Sequence, residues 1–189
     1  MDTQALALAL PLIGWASHTA LLTHRLATAR RDPLTGLRTR AGWTALAERI
    51  IRRHRDAVVL LLDLDDFKNL NDTHGHAAGD FALVVTAERL AAWCGRNGIA
   101  GRLGGDEFVA IARQAPDLDL DLDLESLHRA LNQPVAYAGR RLPVSVSVGS
   151  CHVKDLPVRS LSDALATADS AMYAAKGTSG RRRPRTLNR

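Results

Sequence analysis

Residues Ala57 to Leu62 form an unbroken apolar run of Ala, Val and Leu, bounded by charged residues and ending in Asp63. As a strand, such a run has no polar face to give to water. It must be covered on both sides and belongs in the middle of a sheet. The rest of the pattern is read around that strand. Ala41 to Arg53 places Trp43, Leu46, Ala47, Ile50 and Ile51 at helical spacing, Phe81 to Trp93 predicts a second amphipathic helix, and Leu161 to Lys176 a last one. Ile99 to Ile111 reads as two strands around a Gly104-Gly105 turn, and Val135 to Val153, with Ala138-Gly139-Arg140-Arg141 in its middle, as a second hairpin. Asp32-Pro33-Leu34-Thr35-Gly36-Leu37 is turn-rich and marks a boundary before the body of the chain. Hairpins without a long parallel βαβ series predict an α+β fold, with helices packed around one mainly antiparallel sheet.

Asp117 to Glu125 alternates acid with leucine, which reads as a strand or a low-complexity loop before a helix around Glu125 to Leu131. It lacks the glycine turn and terminal Glu of an EF-hand loop, so it reads as a solvated face and not as a calcium site.

Thr3 to Thr23 contains no formally charged residue. Its length is near the roughly 20 residues that span a bilayer, but Pro11, Gly14, Ser17, His18 and Thr19 keep its hydropathy moderate. The run is either a membrane anchor or an Ala/Leu-rich helix that packs on the domain or pairs with its copy. Arg25, Arg30 and Arg31 follow it, so a spanning helix would leave the body on the cytoplasmic side, anchored to the inner face of the cell membrane. A net charge of +5 favours an anionic partner, while 4% aromatic residues argue against a stacking surface for single-stranded nucleic acid. The Arg-rich tail from Arg181 comes with no recognition fold, so no nucleic-acid partner is expected. Cys94 and Cys151 are too few for a disulfide framework or a four-ligand zinc site, and Cys94 reads as a small core residue.

The chemistry is concentrated in acids and glycines. Asp63, Asp65 and Asp66 cluster at the end of the apolar strand, where a carboxylate is placed to hold Mg²⁺ together with substrate phosphates. In Gly104-Gly105-Asp106-Glu107-Phe108, two glycines permit a tight turn and close backbone approach to a ligand. The acids that follow can be brought beside Asp63 by strand pairing, an arrangement suited to metal-assisted phosphoryl chemistry. His74 and His76 read as shaping the loop between Asn71 and Asp80, not as metal ligands.

Four ordered blocks together resemble the GGDEF domains, the diguanylate cyclases. They are Asp32-Pro33-Leu34-Thr35-Gly36-Leu37, the segment from Asp63 to Asp80, the turn from Gly104 to Phe108, and Ala168-Asp169 with Met172-Tyr173-Ala174-Ala175-Lys176. The resemblance implies a fold similar to the nucleotidyl cyclase and polymerase palm core. With the uncharged run and the terminal arginines, the chain divides into an N-terminal hydrophobic helix (1–29; membrane anchor or dimerisation helix), a GGDEF catalytic domain (30–180) and an Arg-rich tail (181–189). The resemblance further implies that two GTP molecules are joined into cyclic di-GMP with release of pyrophosphate, by a homodimer using two Mg²⁺ (or Mn²⁺) ions per active site. Asp63 through its side chain, Leu64 through its carbonyl, Asp106 and Glu107 would hold the metals. Asp106 would also accept the proton of the attacking hydroxyl. Asn71 and Asp80 would meet the guanine edge, and an aspartate at position 80 supports GTP over ATP. Phe67, Lys68, Gly104 and Gly105 would line the phosphates, with Lys176 and Arg181 adding positive charge.

The sequence departs from the family pattern in places. Thr39-Arg40 stands where the family has Asn-Arg, which is expected to loosen the opening turn. The family's inhibitory Arg-x-x-Asp positions are Gly95 and Gly98 here, so weak or absent product inhibition is expected. One extra residue separates Lys176 from Arg181. The alternative reading is a catalytically silent GGDEF domain that binds GTP or a partner protein.

Overall fold

The computed structural model describes Trp15, residues 30–113 and residues 120–179. The elements in chain order are β1 (Arg38–Thr39), α1 (Arg40–Arg53), β2 (Ala57–Leu64), α2 (Phe67–His74), α3 (His76–Cys94), β3 (Gly98–Gly104), β4 (Glu107–Arg113), α4 (Leu120–Leu131), β5 (Val135–Tyr137), β6 (Arg140–Leu142), β7 (Val146–His152) and α5 (Leu161–Ser179), with a 3₁₀ turn at Val153–Asp155. The main sheet has the order β1-β3-β4-β2-β7. Only the β1–β3 pair is parallel; β3–β4, β4–β2 and β2–β7 are antiparallel.

The apolar run thus occupies an interior strand, as its composition requires, and each face of it feeds a separate core. Val58, Leu60, Leu62 and Leu64 pack with Phe108 and Ala110 beneath Leu83 and Leu90 of α3 and Leu127 and Leu131 of α4. Val59, with Val109 and Ile111, packs beneath Trp43, Ala47 and Ile51 of α1 and Ala164 and Ala168 of α5. The sheet is a middle layer between two pairs of helices, and the period-two alternation of β2 distributes its side chains between them. The Trp43 indole N–H donates to the Ile99 carbonyl at 3.1 Å, which satisfies the polar end of an otherwise fully buried ring.

The structure revises several sequence expectations. The Asp/Leu repeat is neither strand nor loop where it is described, because α4 begins at Leu120. Leu127 and Leu131 are buried and Leu124 packs against the same core, a spacing of three and four that sets a helical face and overrides the short alternation. The loop expected around His74 and His76 is a helix pair, α2 and α3, broken at Gly75 with φ +86°. The hairpin expected over Val135 to Val153 is shorter than its span. β5 and β6 form a separate ribbon, turned through Ala138 (φ 47°) and Gly139 (φ 75°), whereas β7 leaves it to pair with β2. The hydrophobic segment 3–23 lies outside the described residues apart from Trp15, as do Arg181 and the tail. Among the described residues no helix is long and apolar enough to cross a membrane.

Candidate active site

β2 and β4 run side by side so that Asp63 and Glu107 are register partners on the last rung of the ladder, directly above the Leu62–Phe108 pair. Partners on one rung point to one face. Here it is the face covered by α1 and α5, and each helix contributes a cation. Lys176 of α5 donates to Asp63 Oδ1 at 2.5 Å, and Arg40, the first residue of α1, lies 3.8 Å from Glu107 Oε2. Asp63 is mostly enclosed, with 20% of its side chain exposed, while Glu107 is 52% exposed. The enclosed pair therefore dominates the local electrostatics, and the outer one is screened by solvent.

Asp106 sits in the turn between β3 and β4. Its carbonyl accepts from the Leu64 N–H at 3.3 Å, so the turn is tied to the end of the central strand at the residue after Asp63. The turn bends through Gly104 (φ 148°) and Gly105 (φ 54°), the backbone region that glycine enters without penalty. Arg102 fixes the outer side of this turn. Its Nε and Nη2 donate to the Gly105 carbonyl at 2.9 and 2.6 Å, and its Nη1 donates to Asp32 Oδ1 at 3.0 Å. Asp32 also accepts from the Thr35 N–H and hydroxyl at 2.9 and 2.7 Å. Burial pushes the Asp32 carboxyl up, but the Thr35 and Arg102 bonds outweigh it and hold its pKa below 3.8. These bonds hold the opening turn ahead of Thr39-Arg40, and Arg40 is the residue that reaches Glu107.

Past the rung, Asp65 is turned away from the other acids. It accepts from the Ser145 and Ser147 hydroxyls at 2.6 and 2.7 Å and so joins β2 to β7. Asp66 (φ 54°) reverses the chain directly into α2, which starts with Phe67 and exposed Lys68. Asn71 on α2 abuts Gly79 on α3, the residue before exposed Asp80. His74 and His76 are exposed at the corner between these helices. Gly95 caps α3 at φ +50° and Gly98 lies in β3.

The structure therefore brings Asp63, Leu64, Glu107, Asp106 and Lys176 together, and places Asn71 beside the residue preceding Asp80. Arg181 lies outside the described residues. Arg40, Arg102, Ser145 and Ser147 were not singled out from sequence; a basic or hydroxyl residue many positions from its acid carries no local signal. Among the described residues no group of three or more His, Cys, Asp or Glu is gathered to hold a metal by itself. The donors at the rung are nonetheless hard oxygens, and Mg²⁺ takes one or two carboxylates with the rest of its shell from water and phosphates. The residues fit such an ion as a site shared with substrate.

A model of the diguanylate cyclase GGDEF domain matches residues 29–182. The chain belongs to the GGDEF family. It is 65% identical over 96% of its length to the "Uncharacterized 19.3 kDa protein in repSA 5'region" of Streptomyces ambofaciens, covering 97% of that protein. It is 33% identical over 80% of its length to the diguanylate cyclase DgcN of Escherichia coli, of which it spans 38%. A sensory box/GGDEF family protein from Caulobacter crescentus superimposes with a TM-score of 0.67 at 35% identity, over 79% of this chain and 99% of that one. The GGDEF match spans the strand-end acids, the glycine turn and Lys176.

Proposed function

We propose that the chain is a diguanylate cyclase. It condenses two GTP into cyclic di-GMP and two pyrophosphates, by attack of each 3′-hydroxyl on the α-phosphate of the other nucleotide. The observation that carries this reading is the shared rung of Asp63 and Glu107, tied to the Asp106 turn and faced by Lys176. Asp63, the Leu64 carbonyl, Asp106 and Glu107 would hold two divalent ions, Mg²⁺ or Mn²⁺. When bound, these supply charge neutralisation at the attacked phosphate.

The chain's own groups do the rest. Asp106 accepts the 3′-hydroxyl proton as the new P–O bond forms and the bond to pyrophosphate breaks. The N-terminus of α2 at Phe67, with the Lys68 ammonium, offers N–H donors and positive charge to the triphosphate, and the Gly104-Gly105 turn lets it approach the backbone. Lys176, paired with Asp63, adds positive charge for the same phosphates. Asn71 and Asp80 at the α2–α3 corner meet the guanine edge, where an unpaired buried donor would penalise another base. Because each nucleotide is both nucleophile and electrophile, two copies of the domain face each other in the reacting homodimer.

Incubating the purified chain with GTP and Mg²⁺ and weighing the products is the direct test. Cyclic di-GMP from the wild type, and none from Asp106→Ala that still binds GTP, is the expected pair of results. GTP binding with no product from the wild type would make the chain a nucleotide-binding or protein-interaction module instead.

A further inference from the structure

Gly79 is buried on the first turns of α3, facing α2. A Cβ placed there would overlap Asn71 Oδ1 outright and would lie 2.9 Å from its Cγ and 3.3 Å from its Nδ2. The Gly79 φ is not in the left-handed region, so any residue could adopt its backbone conformation. What a side chain there would meet first is the Asn71 amide. All three nearest atoms belong to that amide. They form the tip of a flexible side chain, so a methyl group would rotate Asn71 away at small cost to the fold. The helix even favours alanine over glycine.

We propose that Gly79 is a positioning residue for base recognition. Its missing side chain is the seat of the Asn71 amide, which it keeps preset beside Asp80 so that the guanine edge meets an ordered donor–acceptor pair. The proposal rests on the reading above that Asn71 contacts guanine. It assigns specificity to a residue that touches no substrate atom. It also separates this glycine from Gly104 and Gly105, where a Cβ would meet nothing within 4 Å and the backbone angles are what call for glycine. A preset amide does not have to be ordered at the moment of binding, whereas a displaced one must first be brought back.

The test compares wild type, Gly79→Ala, Asn71→Ala and the double variant. It uses titrations with the unreactive guanosine α,β-methylene triphosphate and with inorganic tripolyphosphate, together with thermal melts. Gly79→Ala is expected to weaken the guanosine analogue about tenfold, the loss of roughly one hydrogen bond. Tripolyphosphate affinity and the melting temperature should stay near wild type. Adding Gly79→Ala to Asn71→Ala should cost nothing more, because the amide it displaces is already gone. Wild-type binding by Gly79→Ala, when Asn71→Ala binds weakly, would overturn the proposal and leave the guanine reading intact. So would an undiminished effect in the double variant, or an equal loss of tripolyphosphate. If Asn71→Ala binds the analogue as well as wild type, the guanine reading fails and this proposal falls with it. If Gly79→Ala does not fold, the double variant must fold, since the overlap has been removed; its failure to do so refutes the assigned contact.

Discussion

Replacing Arg102 by alanine tests whether the opening turn and the glycine turn are one mechanical unit. The substitution removes two hydrogen bonds to the Gly105 carbonyl and the ion pair to Asp32, with 13% of the Arg102 side chain and 19% of that of Asp32 exposed. Hydrogen bonds to charged groups contribute about 1.5–3 kcal/mol each, but the Gly105 carbonyl is exposed and water can replace the lost donors. The Asp32 carboxylate keeps its Thr35 bonds. The net cost is therefore about 2–3 kcal/mol, or a fall in melting temperature of roughly 5–10 °C for a domain of this size. Arg102→Lys should lie between, since an ammonium can neutralise Asp32 but cannot fork to both partners.

The acid limb of stability supplies an independent readout. The Asp32 pKa is lowered in the folded chain, so ionised Asp32 adds stability that is full above about 3.8 and is lost as pH falls through the lower folded value. Without Arg102 the folded pKa rises towards the unfolded one, and that part of the acid slope becomes shallower. Thermal melts from pH 2.5 to 7, run beside turnover in the proposed cyclase reaction at 25 °C, measure both effects. Turnover should fall well before unfolding, because the Asp106 turn loses its outer brace. Wild-type melting and turnover in both variants would refute the coupling.

Two further predictions need only purified protein. At Gly149 a Cβ would overlap the Ala168 carbonyl oxygen and stand 2.5 Å from the Met172 nitrogen, so Gly149→Ala pushes α5 backbone away from β7. Unlike the side-chain tip at Gly79, this cannot be relieved by a rotamer, and chemical denaturation should show a loss of about 3 kcal/mol; a loss under about 0.5 kcal/mol would contradict the docking. Burial pushes the Cys94 thiol up to about 12 and raises that of Cys151, so neither should react with a thiol reagent at pH 8 until the chain is unfolded. Rapid labelling of the native protein would show that one of them is open to solvent.

The parts of this fold legible in the sequence were those where local pattern and tertiary role coincide. The run from Ala57 to Leu62 read as an interior strand and Gly104-Gly105 as the turn of a strand pair, and both are so placed. The resemblance carried the site acids because they lie in contiguous blocks. The start of α4 was hidden because Asp and Leu alternate over the very residues where the helix begins, and its periodicity becomes visible only at Leu127 and Leu131. The α2–α3 corner was hidden because one glycine, Gly75, reads as loop punctuation until its neighbours are seen to be helical on both sides. Arg40, Arg102 and the serines facing Asp65 were out of reach for another reason. Each meets its partner across the sheet or its connecting turns, and distance along the chain erases the signal.

The rung that joins Asp63 to Glu107 belongs to the same ladder as Leu62–Phe108 and Leu60–Ala110. Sliding β4 past β2 by one residue would part the acids and also turn every apolar side chain on one strand to the opposite face. Sliding it by two would preserve the faces but carry the acids about 7 Å apart. It would also drag the Asp106 carbonyl off the Leu64 N–H. Misassembly of the acids is therefore penalised by the hydrophobic core and by the turn brace before any substrate arrives. The core acts as a proofreader, and a molecule that has folded at all has its acids aligned.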